Sequence, residues 1–131
     1  MTAILARTLK RWVAVLVVLV ASAQPAVSGE PLHRIFAACA GRLSAEVEHQ
    51  WLVQDQRVEM TERHRARMIT LTDATTPEGQ EPWTLHLRIQ AKHAHKALLS
   101  RAEFNDDKKV SRWAASQAES ELSRCVGLLL S

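Results

Sequence analysis

The sequence predicts an all-α protein, an antiparallel up-down bundle of four helices that follows a cleaved N-terminal signal peptide. Three observations support this fold class. Glycine and proline are scarce, with four of each in 131 residues, which leaves long stretches that favour helix. Apolar residues recur at spacings of three and four along those stretches. The two cysteines, Cys39 and Cys125, occupy positions where such a bundle brings the first and last helices together.

Residues 1–23 have the three parts of a secretory signal peptide in the required order. Basic residues come first, an unbroken apolar run follows, and small residues precede a predicted cleavage after Ala23. Cleavage after Ser28 stays open, because small residues precede that position as well. The apolar run of about a dozen residues is shorter than the roughly 20 that span a bilayer, which favours cleavage over retention as an anchor.

The leader carries the whole net charge of the chain. The formal net charge is +3, and Arg7, Lys10 and Arg11 account for it. Removing these three from the 17 basic residues leaves 14, which equals the 14 acidic residues. Because nucleic-acid binding needs a basic surface, we expect no nucleic-acid partner for the mature chain.

The mature chain, residues 24–131, has a length suited to one helical domain. In an oxidising compartment its two cysteines predict one internal disulfide between Cys39 and Cys125. Two free thiols or an intermolecular bridge are the alternatives. The internal bridge would close a loop over nearly the whole domain. The entropy that this loop removes from the unfolded chain would stabilise the fold by about 4 to 5 kcal/mol. We expect a periplasmic or secreted protein.

The apolar spacing predicts four helices, at residues 31–53, 56–71, 83–104 and 107–130. The first has a clear apolar stripe through Leu43 and Val47, and the same stripe predicts that Trp51 lies in the core. The second has the weakest apolar pattern. Turn-favouring residues after position 71 predict a loop before the third helix. The sequence Asn105-Asp106-Asp107 predicts a turn and an N-cap for the fourth.

The segment Phe36–Glu46 reads FAACAGRLSAE and resembles a segment of small exported alphaproteobacterial proteins. The resemblance covers this stretch at the start of the first helix and implies a bacterial periplasmic setting. The resemblance implies no activity and no functional residue for this chain. Within the segment, Gly41 either permits another helix to pack closely beside Cys39 or is a tolerated surface glycine.

The chain contains no nucleophile elbow, phosphate-binding glycine loop or Cys-x-x-Cys motif. A binding or accessory protein that engages a protein or envelope partner is therefore favoured over an enzyme. His86 and His93 are seven residues apart and His93 and His95 point to opposite sides, so neither pair forms a metal site on one helix. We expect surface histidines, no metal and no cofactor. The alternative function is a metal- or haem-binding bundle that uses interhelical histidines such as His49 or His64.

Four side chains are candidates for partner binding. Arg63, Arg65 and Arg67 form the densest basic run of the mature chain, and Trp113 lies on the last helix away from its apolar stripe. Exposed tryptophan and arginine are enriched at binding hot spots. The alternative for the basic run is a solvated helix face whose charges pair with neighbouring glutamates.

Overall fold

The computed structural model describes residues 29–131, and this range forms four helices and no strand. The helices are α1 (Leu32–Val53), α2 (Val58–Thr75), α3 (Glu81–Phe104) and α4 (Lys108–Leu130). The predicted all-helical class is confirmed. The predicted signal peptide and both candidate cleavage sites lie outside the described residues. None of the four helices has the length and apolar composition that a bilayer crossing needs.

The end of α2 differs from the prediction. The helix continues to Thr75, four residues past Leu71, and threonine hydroxyls in this last stretch donate to carbonyl groups one turn earlier. The Thr72 hydroxyl donates to the Met68 carbonyl at 2.8 Å, and the Thr75 hydroxyl donates to the Leu71 carbonyl at 2.7 Å. The turn-favouring residues that follow Leu71 in the sequence therefore do not end the helix at once, and the loop begins after Thr75.

The starts of α3 and α4 each follow from one local feature. α3 begins at Glu81 with Pro82 in its first turn, a position where proline loses no helical hydrogen bond. Asp107 precedes α4, and its side chain accepts hydrogen bonds from the amides of Lys109 and Val110. Asp107 is thus the N-cap that its position before the last helix predicts.

α1 is the central helix of the fold. It packs extensively on α3 and α2, whereas α4 packs mainly on α3 and meets α1 at few positions. Eleven of the 22 residues of α1 are buried, compared with three in each of α3 and α4. In a square four-helix bundle α1 would border α2 and α4. Here its largest contact is with α3 instead.

Cys39 and Cys125 form the predicted disulfide, which joins the start of α1 to the end of α4. Their Cα atoms are 5.4 Å apart, and the two residues are separated by 86 positions in sequence. Ala40, Leu43 and Met68 are buried with them in one hydrophobic cluster. Three helices therefore meet around the covalent link.

α1 and α3 approach each other very closely at Gly41. A Cβ atom at this position would overlap the carbonyl oxygen of Arg88 and would lie 2.9 Å from the amide nitrogen of Lys92. Both are backbone atoms of α3, which no side-chain rotation can move away. Of the two interpretations that the sequence left open for Gly41, close helix packing is the one observed.

Trp51 and Trp113 are both exposed, although the helical pattern predicted exposure only for Trp113. The prediction that Trp51 belongs to the core is wrong, since 61% of its surface is exposed. Its indole Nε1 donates to Glu62 Oε1 of α2 at 3.3 Å, so the helix opposite presents a carboxylate at this level instead of an apolar side chain. Trp113 is 53% exposed, as its position on α4 predicts.

Replacing Gly41 by alanine is expected to lower the free energy of unfolding by about 1 to 3 kcal/mol, because the added methyl group pushes α1 away from the α3 backbone. Gly127→Ala in α4 is the matched control, since no atom lies within 4 Å of its Cβ position. The control should be neutral or should stabilise the helix by up to about 1 kcal/mol. Guanidinium unfolding of the oxidised proteins measures both. Equal effects of the two substitutions would contradict the close approach at Gly41.

Candidate functional site

The interior contains a cluster of polar side chains between α1, α3 and α4. His95 of α3 has no exposed surface, and its Nε2 lies 3.1 Å from Glu46 Oε2 on α1. Its Nδ1 lies 3.6 Å from Glu121 Oε2 on α4, which is within ion-pair range but too long for a hydrogen bond. One buried ring therefore faces carboxylates from two other helices.

Both carboxylates have further partners. Arg42 donates through Nε to Glu121 Oε2 at 3.0 Å, and Gln50 donates through Nε2 to Glu46 Oε1 at 3.4 Å. Among these side chains, two buried polar atoms lack a hydrogen-bond partner, His95 Nδ1 and Gln50 Oε1. The five residues, Arg42, Glu46, Gln50, His95 and Glu121, are hereafter the polar cluster.

The polar cluster is suited to fixing the relative positions of three helices. His95 cannot touch a substrate, because its ring is fully enclosed. A buried polar group costs free energy unless it is hydrogen-bonded, so sliding of α1 against α3 would separate Glu46 from its partner at that cost.

The histidines are placed differently from the sequence expectation. His95 was expected at the surface, and that prediction is wrong because the ring lies under α1 and α4. His49 Nε2 is 3.8 Å from Glu103 Oε2, and His64 is half-buried on α2. Within residues 29–131 no three histidine, cysteine or acidic side chains converge as a metal site requires. That the protein binds no metal and no cofactor stays a prediction.

A groove opens beside the polar cluster, at the end of the bundle away from the disulfide. Gln50 in its wall is eleven residues past Cys39 on α1, a distance of about 16 Å along the helix. The groove is a cavity of about 300 Å³ between the end of α1, the end of α3 and the middle of α4. Its acidic and amide lining residues are Glu46, Gln50, Asp55, Glu103 and Glu119. This cavity is hereafter the end groove.

An ion pair lies in the wall of the end groove, on the loop between α1 and α2. Arg57 donates through Nη2 to Asp55 Oδ2 at 2.6 Å and through Nε to both carboxylate oxygens at 3.1 Å. The hydrogen bonds from the Arg57 side chain hold the pKa of Asp55 at about 2, below its usual value. The same hydrogen bonds raise the pKa of Arg57. The two charges therefore largely neutralise each other.

Large apolar side chains are exposed at the same end of the bundle. Leu52 is 67% exposed and Phe104 is 63% exposed, and both line a second cavity, of about 260 Å³, between α1 and α3. Contiguous exposed apolar area is typical of interaction sites. The large exposed apolar residues at the end of α1, the end of α3 and the first two turns of α4 are Trp51, Leu52, Val53, Phe104 and Trp113. These five are hereafter the end surface.

The candidate partner-binding residues do not all point the same way. Arg63 and Arg67 are exposed and lie four residues apart, on one outer face of α2. Arg65 lies toward the packed side of the helix, and its Nε is buried without a hydrogen-bond partner. Trp113 is exposed on a different helix, α4. Arg65 therefore does not share the face of Arg63 and Arg67, and the binding role of all four residues stays a prediction.

Sequence reasoning missed the polar cluster, although a signal for it was present. His95 lies in the middle of a helical stripe of small and apolar residues that includes Ala91 and Leu98. Glu46 interrupts the corresponding stripe of α1, next to Val47. A polar residue in the centre of an apolar stripe on each of two helices indicates a buried pair.

The chain matches no protein-family model, no curated protein and no solved structure. The resemblance of Phe36–Glu46 to exported proteins therefore rests on that segment. The polar cluster, the end groove and the end surface are the observations from which a function is inferred.

The contact between His95 and Glu46 yields a test of the polar cluster. Glu46→Leu and His95→Leu should each lower the free energy of unfolding by about 2 to 4 kcal/mol, because each leaves the other side chain buried without its partner. The double variant should lose clearly less than the sum of the two, since neither polar group then remains. Guanidinium unfolding of the four proteins gives the coupling free energy. A double variant that loses the full sum would show that the two residues act independently.

Proposed function

We propose that this chain is an exported binding or accessory protein of the periplasm, and that it engages a protein or envelope partner through the end surface. The proposal includes cleavage after residue 23 and folding of residues 24–131 as one helical domain. The observation that carries the binding role is the exposed apolar surface that Leu52 and Phe104, 67% and 63% exposed, form around one cavity between α1 and α3. Such a patch is costly to expose to water unless a partner covers it.

The proposal also includes an antiparallel up-down order of the helices. Contacts between α1 and α4 run in opposite directions along the two helices, since Cys39 meets Cys125 and Arg42 meets Glu121. Contacts between α1 and α3 instead advance together along both helices. This order supports an up-down bundle, in which the first and third helices are parallel.

Export is supported by two independent features. The first is the charge, apolar run and small residues of positions 1–23. The second is the disulfide between Cys39 and Cys125, because disulfides form and persist in oxidising compartments. The periplasm is the compartment that also agrees with the resemblance of Phe36–Glu46.

The end surface has the composition of a binding site. Tryptophan is enriched at hot spots, where a few buried aromatic anchors supply most of the binding energy. Trp51 and Trp113 are such residues, and Leu52 and Phe104 border a cavity that an apolar side chain of a partner would fill. Arg63 and Arg67 form a second, basic face on α2, outside the end surface, that would attract an acidic part of the partner at longer range.

The intact mass of the exported protein tests cleavage and oxidation together. The full chain, expressed in a Gram-negative bacterium and recovered from the periplasm, should have the mass of residues 24–131 with both cysteines oxidised under non-reducing conditions. The mass of residues 29–131 would move the cleavage site to Ser28. The mass of the complete chain would contradict cleavage, and two free thiols would contradict the disulfide in the exported protein.

Site-specific photo-cross-linking tests the end surface. A photoreactive residue at Leu52 or Phe104, in cells that naturally produce the protein, should give one discrete cross-linked species. The same residue at Gln90 or Glu78, which are exposed away from this end, is the control and should give none. Trp113→Ala should reduce the product formed at Phe104 and leave the melting temperature nearly unchanged. Equal products from all positions, or none from Leu52 and Phe104, would contradict the proposal.

A further inference from the structure

We propose that the occupant of the end surface is a basic segment of a protein partner, and that one of its lysine or arginine side chains enters the end groove. The inference rests on the proposed function, because it names the chemistry of the partner that the end surface takes. It is carried by three observations: the balance of charge in the groove, the polar atom without a partner in its wall, and the apolar side chains at its rim.

The charge of the end groove is strongly unbalanced. Its lining includes four carboxylates, one arginine and one histidine, His49, while the mature chain as a whole carries equal numbers of acidic and basic residues. The negative potential is therefore local to this end of the bundle. A concave surface lined by one sign of charge concentrates ligands of the opposite sign.

Glu103 and Glu119 are the two carboxylates without a short ion pair: Glu103 lies within ion-pair range of His49, and Glu119 acts on Arg57 only at longer range. Asp55 is neutralised by Arg57, and Glu46 is hydrogen-bonded to His95 and Gln50 inside the polar cluster. Glu103 meets a histidine nitrogen at 3.8 Å, too far for a hydrogen bond. Glu119 forms no ion pair within residues 29–131. Glu103 of α3 and Glu119 of α4 both line the groove.

Gln50 provides the independent polar observation. This side chain lines the end groove and is only 3% exposed, yet its Oε1 accepts no hydrogen bond. A buried carbonyl without a donor costs about 1 to 3 kcal/mol in general, and a ligand that brings a donor recovers part of that cost. Lysine and arginine carry three and five donors respectively and accept none. A basic side chain therefore fits the charge of the groove and carries the kind of donor that Gln50 in its wall lacks.

The rim of the end groove determines what surrounds that basic side chain. Val53 lines the groove itself, and Leu52 and Phe104 lie across the end of α1 at the second cavity. A segment that places a basic side chain in the groove would therefore lay its neighbouring side chains on apolar surface. The partner segment is both basic and apolar, and an anionic membrane surface would be repelled by Glu103 and Glu119.

A random peptide library displayed on phage and selected on the oxidised mature protein tests the inference. Enriched peptides should combine lysine or arginine with large apolar residues, and their affinity should fall as the salt concentration rises. The double substitution Glu103→Gln and Glu119→Gln should weaken a synthetic copy of the enriched peptide about five- to tenfold in fluorescence anisotropy. Glu30→Gln with Glu78→Gln removes the same charge from exposed positions away from the groove, and should change the affinity less than twofold.

Each other outcome overturns the inference in an identifiable way. Enrichment of neutral or acidic peptides, or no enrichment, would contradict a basic partner segment. The role of the end surface in binding would then depend on the cross-linking result at Leu52 and Phe104. Equal weakening by both pairs of substitutions would show that net charge, not the end groove, sets the affinity. Binding to anionic lipid vesicles that matches peptide binding would replace the protein partner by a membrane.

Discussion

The backbone contact between α1 and α3 at Gly41 is the constraint on which the rest of the structure depends. It brings two helices so close that no side chain fits between them, and it makes α1 the helix around which the others are arranged. Half of the residues of α1 are buried as a result, and most of these buried residues are small. Because α1 is covered by α2 and α3, α4 is left to pack on α3 and to reach α1 at a few positions. The disulfide and the Arg42–Glu121 ion pair are two of those positions.

The same close packing explains why polar side chains are found in the interior. A helix surrounded on several sides has no solvent face at its centre, so residues such as Glu46 and Gln50 must find partners inside. Glu46 finds His95 on α3, and Glu121 connects the ring to α4 and to Arg42. A buried polar arrangement is weak evidence for added stability, but it penalises any other alignment of the helices. The end groove begins where this arrangement reaches the surface.

The sequence predicted the helices and the disulfide well, because these depend on local signals. Glycine, proline and capping residues mark helix ends, and two cysteines in an exported chain have one internal pairing. On α1 the apolar stripe through Leu43 and Val47 also marked the packed side, since both residues are buried. It could not say which helices meet, so neither the central position of α1 nor the role of Gly41 followed from it. His95 and Trp51 were misplaced for a related reason. Periodicity treats a histidine as exposed and a tryptophan as buried, whereas the residue on the facing helix decides whether the side chain is buried. For both His95 and Trp51 that residue is a glutamate.

The position of the disulfide has a mechanical consequence. Every loop of the described chain lies between Cys39 and Cys125, so the three connections, at residues 54–57, 76–80 and 105–107, belong to one covalent ring. A protease that cuts any single loop opens the ring but releases no fragment. Tension applied at the two chain ends passes through the sulfur atoms and bypasses the helical segments between them. The oxidised fold is therefore protected against both nicking and pulling, two forms of damage to which a small exported domain is open and against which a modest core offers little resistance.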